Sequence, residues 1–347
     1  MIDIVHLIHN EKFTEGYILF MKKKYPNVSQ KFITIGNKFS VNIEDVIILN
    51  TKKDLFSKEV LFLFNNSKKI IVSGMVYPHY FLFLRKKIIK KFNVQFWGQD
   101  FYIYRNVKFF SKMFFKKMCL KYILNNCESI INLIDEDYDE LYKIIKFNSN
   151  VKHYVACMPE NPNNRLDYKT LLNNRVNTNN IIVGNSATIE NHHIEVFEML
   201  QQFKDEDIDI YCPLSYGDNN YAEKVSLKGK EIFGEKFHPI RDYMSVKDYY
   251  SFLNTCSIGI FFNDRQQALG NIYYLLKTGG KVYLRDKTSM WNYFEKNGIK
   301  IFPCEKIVDM DMNNLFYLDK DIKMNNFNIF MNIRKQLEDN WNEIIGG

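Results

Sequence analysis

The sequence predicts an α/β protein built on parallel, doubly wound sheets, and three observations carry that expectation. Short apolar runs of strand length alternate with segments of helical periodicity along most of the 347 residues. The alternation lapses once, in an Asn-rich stretch with two prolines between Pro159 and Asn180, and then restarts, which divides the chain in two. In the second half, strand-like runs end in polar loops that lead into helical patterns at 181–195, 210–225 and 257–271. Parallel sheets hold ligands in that layout, beyond the carboxyl ends of their strands.

The elements follow in order. IDIVHLIH (2–9) reads as a strand, and Phe13, Tyr17, Phe20 and Met21 then recur at helical spacing. KFITIG (31–36), DVIILN (45–50), KIIVSG (69–74) and NVQFWGQD (93–100) are further strands, each separated by enough chain for a helix or a crossover. A basic, aromatic helix is expected around Lys108–Asn125, followed by a strand over 129–135, a helix in YDELYKIIKF and a strand in HYVACM (153–158). After the interruption come NIIVGNSA, DIDIYCPLSYG, GEKFHPI, CSIGIFFND and KVYLRD, with GIKIFP (298–303) as one more strand. An amphipathic tail helix near Ile329–Ile345 is expected to pack back on the first domain. The expected boundaries are a first domain over 1–160, a linker over 161–180, a second domain over 181–325 and the tail over 326–347.

Composition narrows the class. No stretch reaches the roughly 18 apolar residues of a membrane-spanning helix, and MIDIVHLIHNEKF lacks the basic start and apolar core of a secretory signal, so a cytoplasmic chain is expected. The six cysteines are scattered without a C-x-x-C pair, which argues for reduced thiols rather than disulfides or a zinc site. The net charge of +7 is uneven, because residues 1–160 hold 25 Lys and Arg against 15 Asp and Glu. From Tyr80 to Lys121 eleven basic residues face one acid, Asp100, and are interleaved with Phe, Leu, Ile and Met. That mixture suits a solvated surface or an anionic membrane face. No recognition helix or zinc-finger spacing speaks for nucleic acid.

The chemistry sits in the second half. Gly184 permits close backbone approach, Asn185 and Ser186 can cap the helix that follows, and the free N–H groups there suit a phosphate. Ser215, Tyr216 and Gly217 offer a hydroxyl, a stacking ring and a flexible amide. Arg265, Gln266 and Gln267 precede a helix that starts near Leu269, Gly270 and Asn271, and could hold a diphosphate or a sugar. His192 and His193 are adjacent on a helical pattern, so they point about 100° apart and make a poor metal pair. In the first half Asp100 ends a strand as the lone acid of the basic tract, either a general base or a structural carboxylate, with Glu11 and His79 as weaker catalytic candidates. IDEDYDE (134–140) reads as the acidic start of a helix, so no metal site and no cofactor are expected, and helix N-termini with Arg265 would stabilise a leaving diphosphate.

VGNSATIENHHIE, PLSYGDNNYAEKV and DRQQALGNIYYLL, together with HLIHNEKFTEGYI and WGQDFY, resemble the 4-alpha-L-fucosyltransferase family. The resemblance implies a glycosyltransferase-B architecture of two Rossmann-like domains facing a cleft, with the acceptor in the first and the donor in the second. It implies transfer of a 4-acetamido-4,6-dideoxyhexose from a dTDP-sugar to a polyprenyl-linked saccharide in bacterial surface polysaccharide synthesis. The enzyme would then lie peripherally on the inner membrane through residues 80–121, without nucleic acid. It also makes 184–186, 215–217 and 265–271 donor-site residues. One departure is Gln99 before Asp100, where the family carries a small residue. The competing reading is a non-catalytic protein that binds a nucleotide sugar or RNA.

Overall fold

The computed structural model describes residues 2–11, 13–36, 43–163 and 165–346. Two compact units make up the chain, one formed by Met1–Leu166 with Lys335–Gly347 and one by Asp167–Arg334. Among the described residues the first holds seven parallel strands: β1 (Ile2–His9), β2 (Gln30–Ile35), β3 (Val46–Leu49), β4 (Ser67–Ser73), β5 (Phe92–Gln95), β6 (Ser129–Asn132) and β7 (Lys152–Val155). Their order is β3-β2-β1-β4-β5-β6-β7. The second holds β8 (Asn180–Val183), β9 (Asp209–Pro213), β10 (Phe237–Ile240), β11 (Ile258–Phe261), β12 (Lys281–Leu284) and β13 (Phe302–Pro303) in the order β10-β9-β8-β11-β12-β13, again all parallel. Each order reverses once, between β1 and β4 and between β8 and β11. At such a reversal the chain leaves neighbouring strands toward opposite faces, and a crevice opens beyond their carboxyl ends.

The central strands β1, β2, β4, β8 and β11 are mostly apolar because helices cover both faces. In β1 the period of two sends Val5 and Leu7 into one core, and Ile4 and Ile8 into the other. His6 lies between them, fully buried. Its ring nitrogens are 2.8 Å from the Tyr17 hydroxyl and 2.9 Å from Gln30 Oε1, and burial drives its pKa down to about 3, so it stays neutral.

Several elements differ from the sequence reading for local reasons. Only Phe302–Pro303 of GIKIFP joins the sheet, since the side chain of Asn326 takes both the N–H (2.8 Å) and the carbonyl (2.9 Å) of Lys300. The stretch read as linker contains a helix, Tyr168–Asn173, started by Asp167, whose carboxylate accepts from Thr170 N at 3.1 Å. That helix packs on the helix Leu269–Thr278 of the second unit. The basic helix begins at Lys112 rather than 108, because Ser111 caps it. The tail is two helices, Lys320–Asp339 and Trp341–Gly346.

The second of these closes the core of the first unit. Trp341 is wholly buried, meets Tyr17 edge to face at 5.7 Å and donates from Nε1 to the Cys157 carbonyl at 3.0 Å. Trp341→Ala should therefore cost roughly 3–5 kcal/mol, the usual range for a buried Trp. Denaturant unfolding of the full chain, followed by near-UV signals of the first unit, measures this, and a loss below about 1 kcal/mol would show that the indole carries little of the core.

Candidate functional site

The tips of β8, β9 and β11 meet at the reversal point of the second unit. Gly184, at φ +66°, turns the chain off β8, and its N–H donates to Ile260 O at 2.9 Å. A Cβ there would stand 2.5 Å from His193 Nε2, so only glycine lets that ring lie against the backbone. Gly217, at φ +115°, permits an equally close approach between the β8 and β9 loops. A Cβ on Gly217 would meet the Ala187 carbonyl at 2.4 Å, and that carbonyl accepts from Asp218 N at 2.8 Å. Ala187 N in turn donates to Tyr216 O at 2.8 Å.

Side chains tie the third loop in. Asn191, wholly buried, accepts from Asn185 N (3.1 Å) and from Asn263 Nδ2 (3.0 Å), and donates to Ser186 O (3.1 Å) and Thr188 Oγ1 (2.7 Å). Gln267 Nε2 reaches Ser186 Oγ at 3.2 Å and Thr188 Oγ1 at 3.0 Å, while Asn185 Nδ2 donates to the Tyr216 hydroxyl at 2.8 Å. The expected residues Gly184, Asn185, Ser186, Tyr216, Gly217 and Gln267 thus form one cluster. Ser215 stands beside it, exposed.

Arg265 is almost buried, with Nε 3.6 Å from Glu190 Oε1 and one terminal nitrogen donating to Gln266 O at 3.1 Å. The side-chain carbonyls of Asn185, Asn263, Gln266 and Gln267 are buried and have no donor among the described residues. The helix Leu269–Thr278 starts at Ala268, a non-glycine at φ +59°, with no side-chain cap. The position over Gly270 is open, and Asn271 Nδ2 donates to the Tyr249 hydroxyl at 2.9 Å. The site therefore offers a guanidinium, an uncapped helix start and several hydrogen-bond acceptors in one place, a set suited to an anion carrying hydroxyl or amide groups.

Four charged residues outside the expected set lie alongside. His192, at φ +50°, holds Glu195 Oε1 at 2.8 Å with Nδ1 and Asp264 Oδ2 at 2.8 Å with Nε2, and Asp264 also binds Arg285. Arg285 lies over the Phe262 ring at 4.5 Å. Burial works against the imidazolium of His192, but the two carboxylates outweigh it and raise its pKa. His193 points the other way into the core, where burial lowers it to about 3. The adjacent pair was legible as two side chains pointing apart. The carboxylate partner 72 positions on was not.

The first-unit candidates all follow the carboxyl ends of strands, Glu11 after β1, His79 after β4 and Asp100 after β5. Asp100 lies in the short helix Gln99–Tyr102, just past β5. It is buried, and its oxygens accept from Met75 N at 3.0 Å and Trp97 N at 3.1 Å, binding the loop after β4 to the loop after β5. Burial pushes its carboxyl up to about 6, and the backbone amides pull the other way. Glu11 is exposed in the loop after β1, where its N–H donates to Thr14 Oγ1 at 2.9 Å. His79 is the second residue of the short helix Pro78–Phe83 and lines a groove with Phe110, Lys112, Phe115 and Lys116. Burial first, then the charges of Lys116 and Lys52, lower its pKa. Among the described residues no group of three or more His, Cys, Asp or Glu could hold a metal, and no helix is long and apolar enough to cross a membrane.

The family described as 4-alpha-L-fucosyltransferase, glycosyl transferase group 56, matches residues 21–329. The fold is similar to a glycosyltransferase from Rickettsia africae ESF-5, at TM-score 0.65 and 14% identity over 99% of this chain and 97% of that one. It is also similar to HepE from Anabaena in complex with UDP and glucose, at TM-score 0.64 and 9% identity over 100% of both chains. A UDP-forming alpha,alpha-trehalose-phosphate synthase from Burkholderia vietnamiensis aligns at TM-score 0.67 and 7% identity over 99% of this chain and 97% of that one. At such identities the likeness is one of fold, the glycosyltransferase-B arrangement of two α/β units.

The His192 network gives a pH signature. A raised folded-state pKa means stabilisation that is complete below the unfolded value near 6.5 and is lost as pH rises through the folded one. His192→Asn, which tolerates the left-handed backbone, should flatten the decline in stability above pH 6.5. Unfolding curves of both proteins from pH 6 to 9 test it, and parallel profiles would mean that His192 is uncoupled from Asp264 and Glu195.

Proposed function

Because the chain belongs to the 4-alpha-L-fucosyltransferase family of glycosyl transferase group 56, we propose that it transfers a 4-acetamido-4,6-dideoxyhexose from a dTDP-sugar to a polyprenyl-linked saccharide. The observation that carries the donor half is the convergence of the β8, β9 and β11 tips beside Arg265 and the open start of the helix Leu269–Thr278. In this reading the diphosphate lies over Gly270, where the helix's unpaired N–H groups and Arg265 oppose its charge. The charge that builds on the leaving diphosphate in the transition state meets donors already in position. The side-chain carbonyls of Gln266 and Gln267 accept from the sugar, and Tyr216, more than half exposed, presents its ring to the base. Asp100 serves as a positioning residue for the β4 and β5 tips rather than as the base.

The acceptor half rests on the first unit. Phe83, Phe109, Phe110 and Phe115 are each more than half exposed, and Lys112 and Lys116 stand beside Phe110 and Phe115. Soluble proteins seldom expose so many aromatic rings together. Rings entering the acyl boundary below lysines in the phosphate layer suit an anionic leaflet, where a polyprenyl acceptor would reside.

Two outcomes are expected. Arg265→Ala should lower kcat by on the order of 10²-fold, the usual effect of removing one transition-state donor, with nucleotide binding less affected; an unchanged kcat at saturating dTDP-sugar would remove Arg265 from catalysis. Replacing Phe109, Phe110 and Phe115 with Ser should stop the protein floating with phosphatidylglycerol vesicles in a density gradient. A wild-type chain that stays at the bottom would end the membrane reading.

A further inference from the structure

We infer that Tyr249 supplies a further hydrogen bond to the donor diphosphate, through a phenol that the helix Val246–Asn254 holds against the start of the helix Leu269–Thr278. The inference rests on the reading of that helix start as the diphosphate site, and it adds a catalytic residue outside the expected set.

The two helices pack on each other in a register that their aromatic residues fix. Ser245 starts the first, its hydroxyl accepting from Asp248 N at 3.2 Å and donating to the Asp248 carboxylate at 2.6 Å. Tyr250 then lies flat on Tyr274, the rings 4.9 Å apart and 8° from parallel. Asn271 and Tyr274 are three positions apart and so share a face of their helix. The stack at Tyr274 therefore sets the neighbouring Tyr249 against the turn before it, where Asn271 Nδ2 donates to the Tyr249 hydroxyl at 2.9 Å.

A phenol both accepts and donates. Asn271 occupies the accepting side, and no group among the described residues accepts from the Tyr249 O–H. Tyr249 is only partly buried. Burial, and then the nearby Tyr216 phenol, raise its pKa against the opposing effect of the Asn271 bond, so the proton stays on the oxygen. The open position over Gly270 immediately precedes Asn271 in the same first turn, and the nearly buried Arg265 belongs to the loop leading into it. A phosphate oxygen held there is the acceptor that this proton lacks, and a bond to an ionised oxygen is the stronger kind. When the bond from the sugar carbon to the leaving oxygen breaks, its electron pair goes to the diphosphate. Tyr249 keeps its proton and stabilises that charge by the hydrogen bond alone.

Calorimetry of the full chain at pH 7 with dTDP, UDP and GDP identifies the nucleotide it takes, and ligand-observed NMR follows the matching nucleoside. Tyr249→Phe should weaken the nucleoside diphosphate by about tenfold or more, as expected for losing a hydrogen bond to a charged group, and leave the nucleoside affinity and the unfolding midpoint unchanged. Asn271→Ala, which breaks the same side-chain bond but keeps the phenol, should cost less affinity than Tyr249→Phe. An undiminished affinity in Tyr249→Phe, an equal loss for the nucleoside, or an equal loss in Asn271→Ala overturns the role of Tyr249 and leaves the donor reading standing. Selection of UDP or GDP over dTDP refutes the dTDP donor, while a loss in Tyr249→Phe with that nucleotide supports the phenol. A wild-type chain that binds none of the three refutes both.

Discussion

One buried side-chain amide, Asn191, holds the candidate donor site together. Its oxygen takes N–H groups from Asn185 and Asn263 and its nitrogen reaches Ser186 and Thr188, so the tips of β8 and β11 are pinned through one residue. Each such bond nets only about 0.5–1.5 kcal/mol, but an unmatched buried partner costs about 1–3 kcal/mol. The network is therefore stable only when complete, and completeness fixes one loop geometry. The glycines at 184 and 217 serve the same end, since each stands where a Cβ would collide with a neighbouring loop. A polar cluster this constrained behaves as a preformed surface, which lowers the ordering cost of binding.

The two sheets repeat one topology and use it differently. In each, the reversal of strand order opens a crevice beyond the carboxyl ends. Amides and hydroxyls fill the loops at the second. At the first, Asp100 ties two loops together by accepting from the Met75 and Trp97 backbone amides, and the crevice itself is mostly apolar, with Lys52, His9, Ser73 and Tyr77 among its lining. A buried carboxylate so committed rigidifies two loops at the cost of its own desolvation, as its raised pKa reflects. The charge asymmetry along the sequence agrees, with the basic excess in the first 160 residues and a near balance afterwards.

How much of this was legible depends on the range of the interaction that decided it. Strand existence was readable, because apolar runs such as IDIVHLIH and SIINLID need no partner to be recognised. The turns and polar loops at the tips of β8, β9 and β11 were readable too, since Gly184, Gly217 and the 265–271 segment carry their own local signals. Strand ends were not, and GIKIFP shows why: a side chain 26 positions away, Asn326, decided that Lys300 would leave the ladder. The partners of Asp100 were equally hidden. WGQD shows a carboxylate at a strand end, but only the fold brings Met75 N to it. The same holds for the chain from Glu195 through His192 and Asp264 to Arg285, whose members come from the helix His193–Leu200 and from the loops after β8, β11 and β12.

Arg265 shows most directly how the fold prepares a site. Desolvating a guanidinium is expensive, and a carboxylate repays that only at short range and in good geometry. Glu190 lies 3.6 Å from Arg265 Nε, a loose pair, and a terminal nitrogen of Arg265 donates only to the carbonyl of the very next residue among the described residues. The fold thus holds a nearly buried cation short of full compensation, next to a helix start that is likewise uncapped. Two under-satisfied positive features at one point raise the energy of the empty site more than that of the anion-bound one. An anion arriving there gains from both at once, without the rearrangement that breaking a tight ion pair would demand.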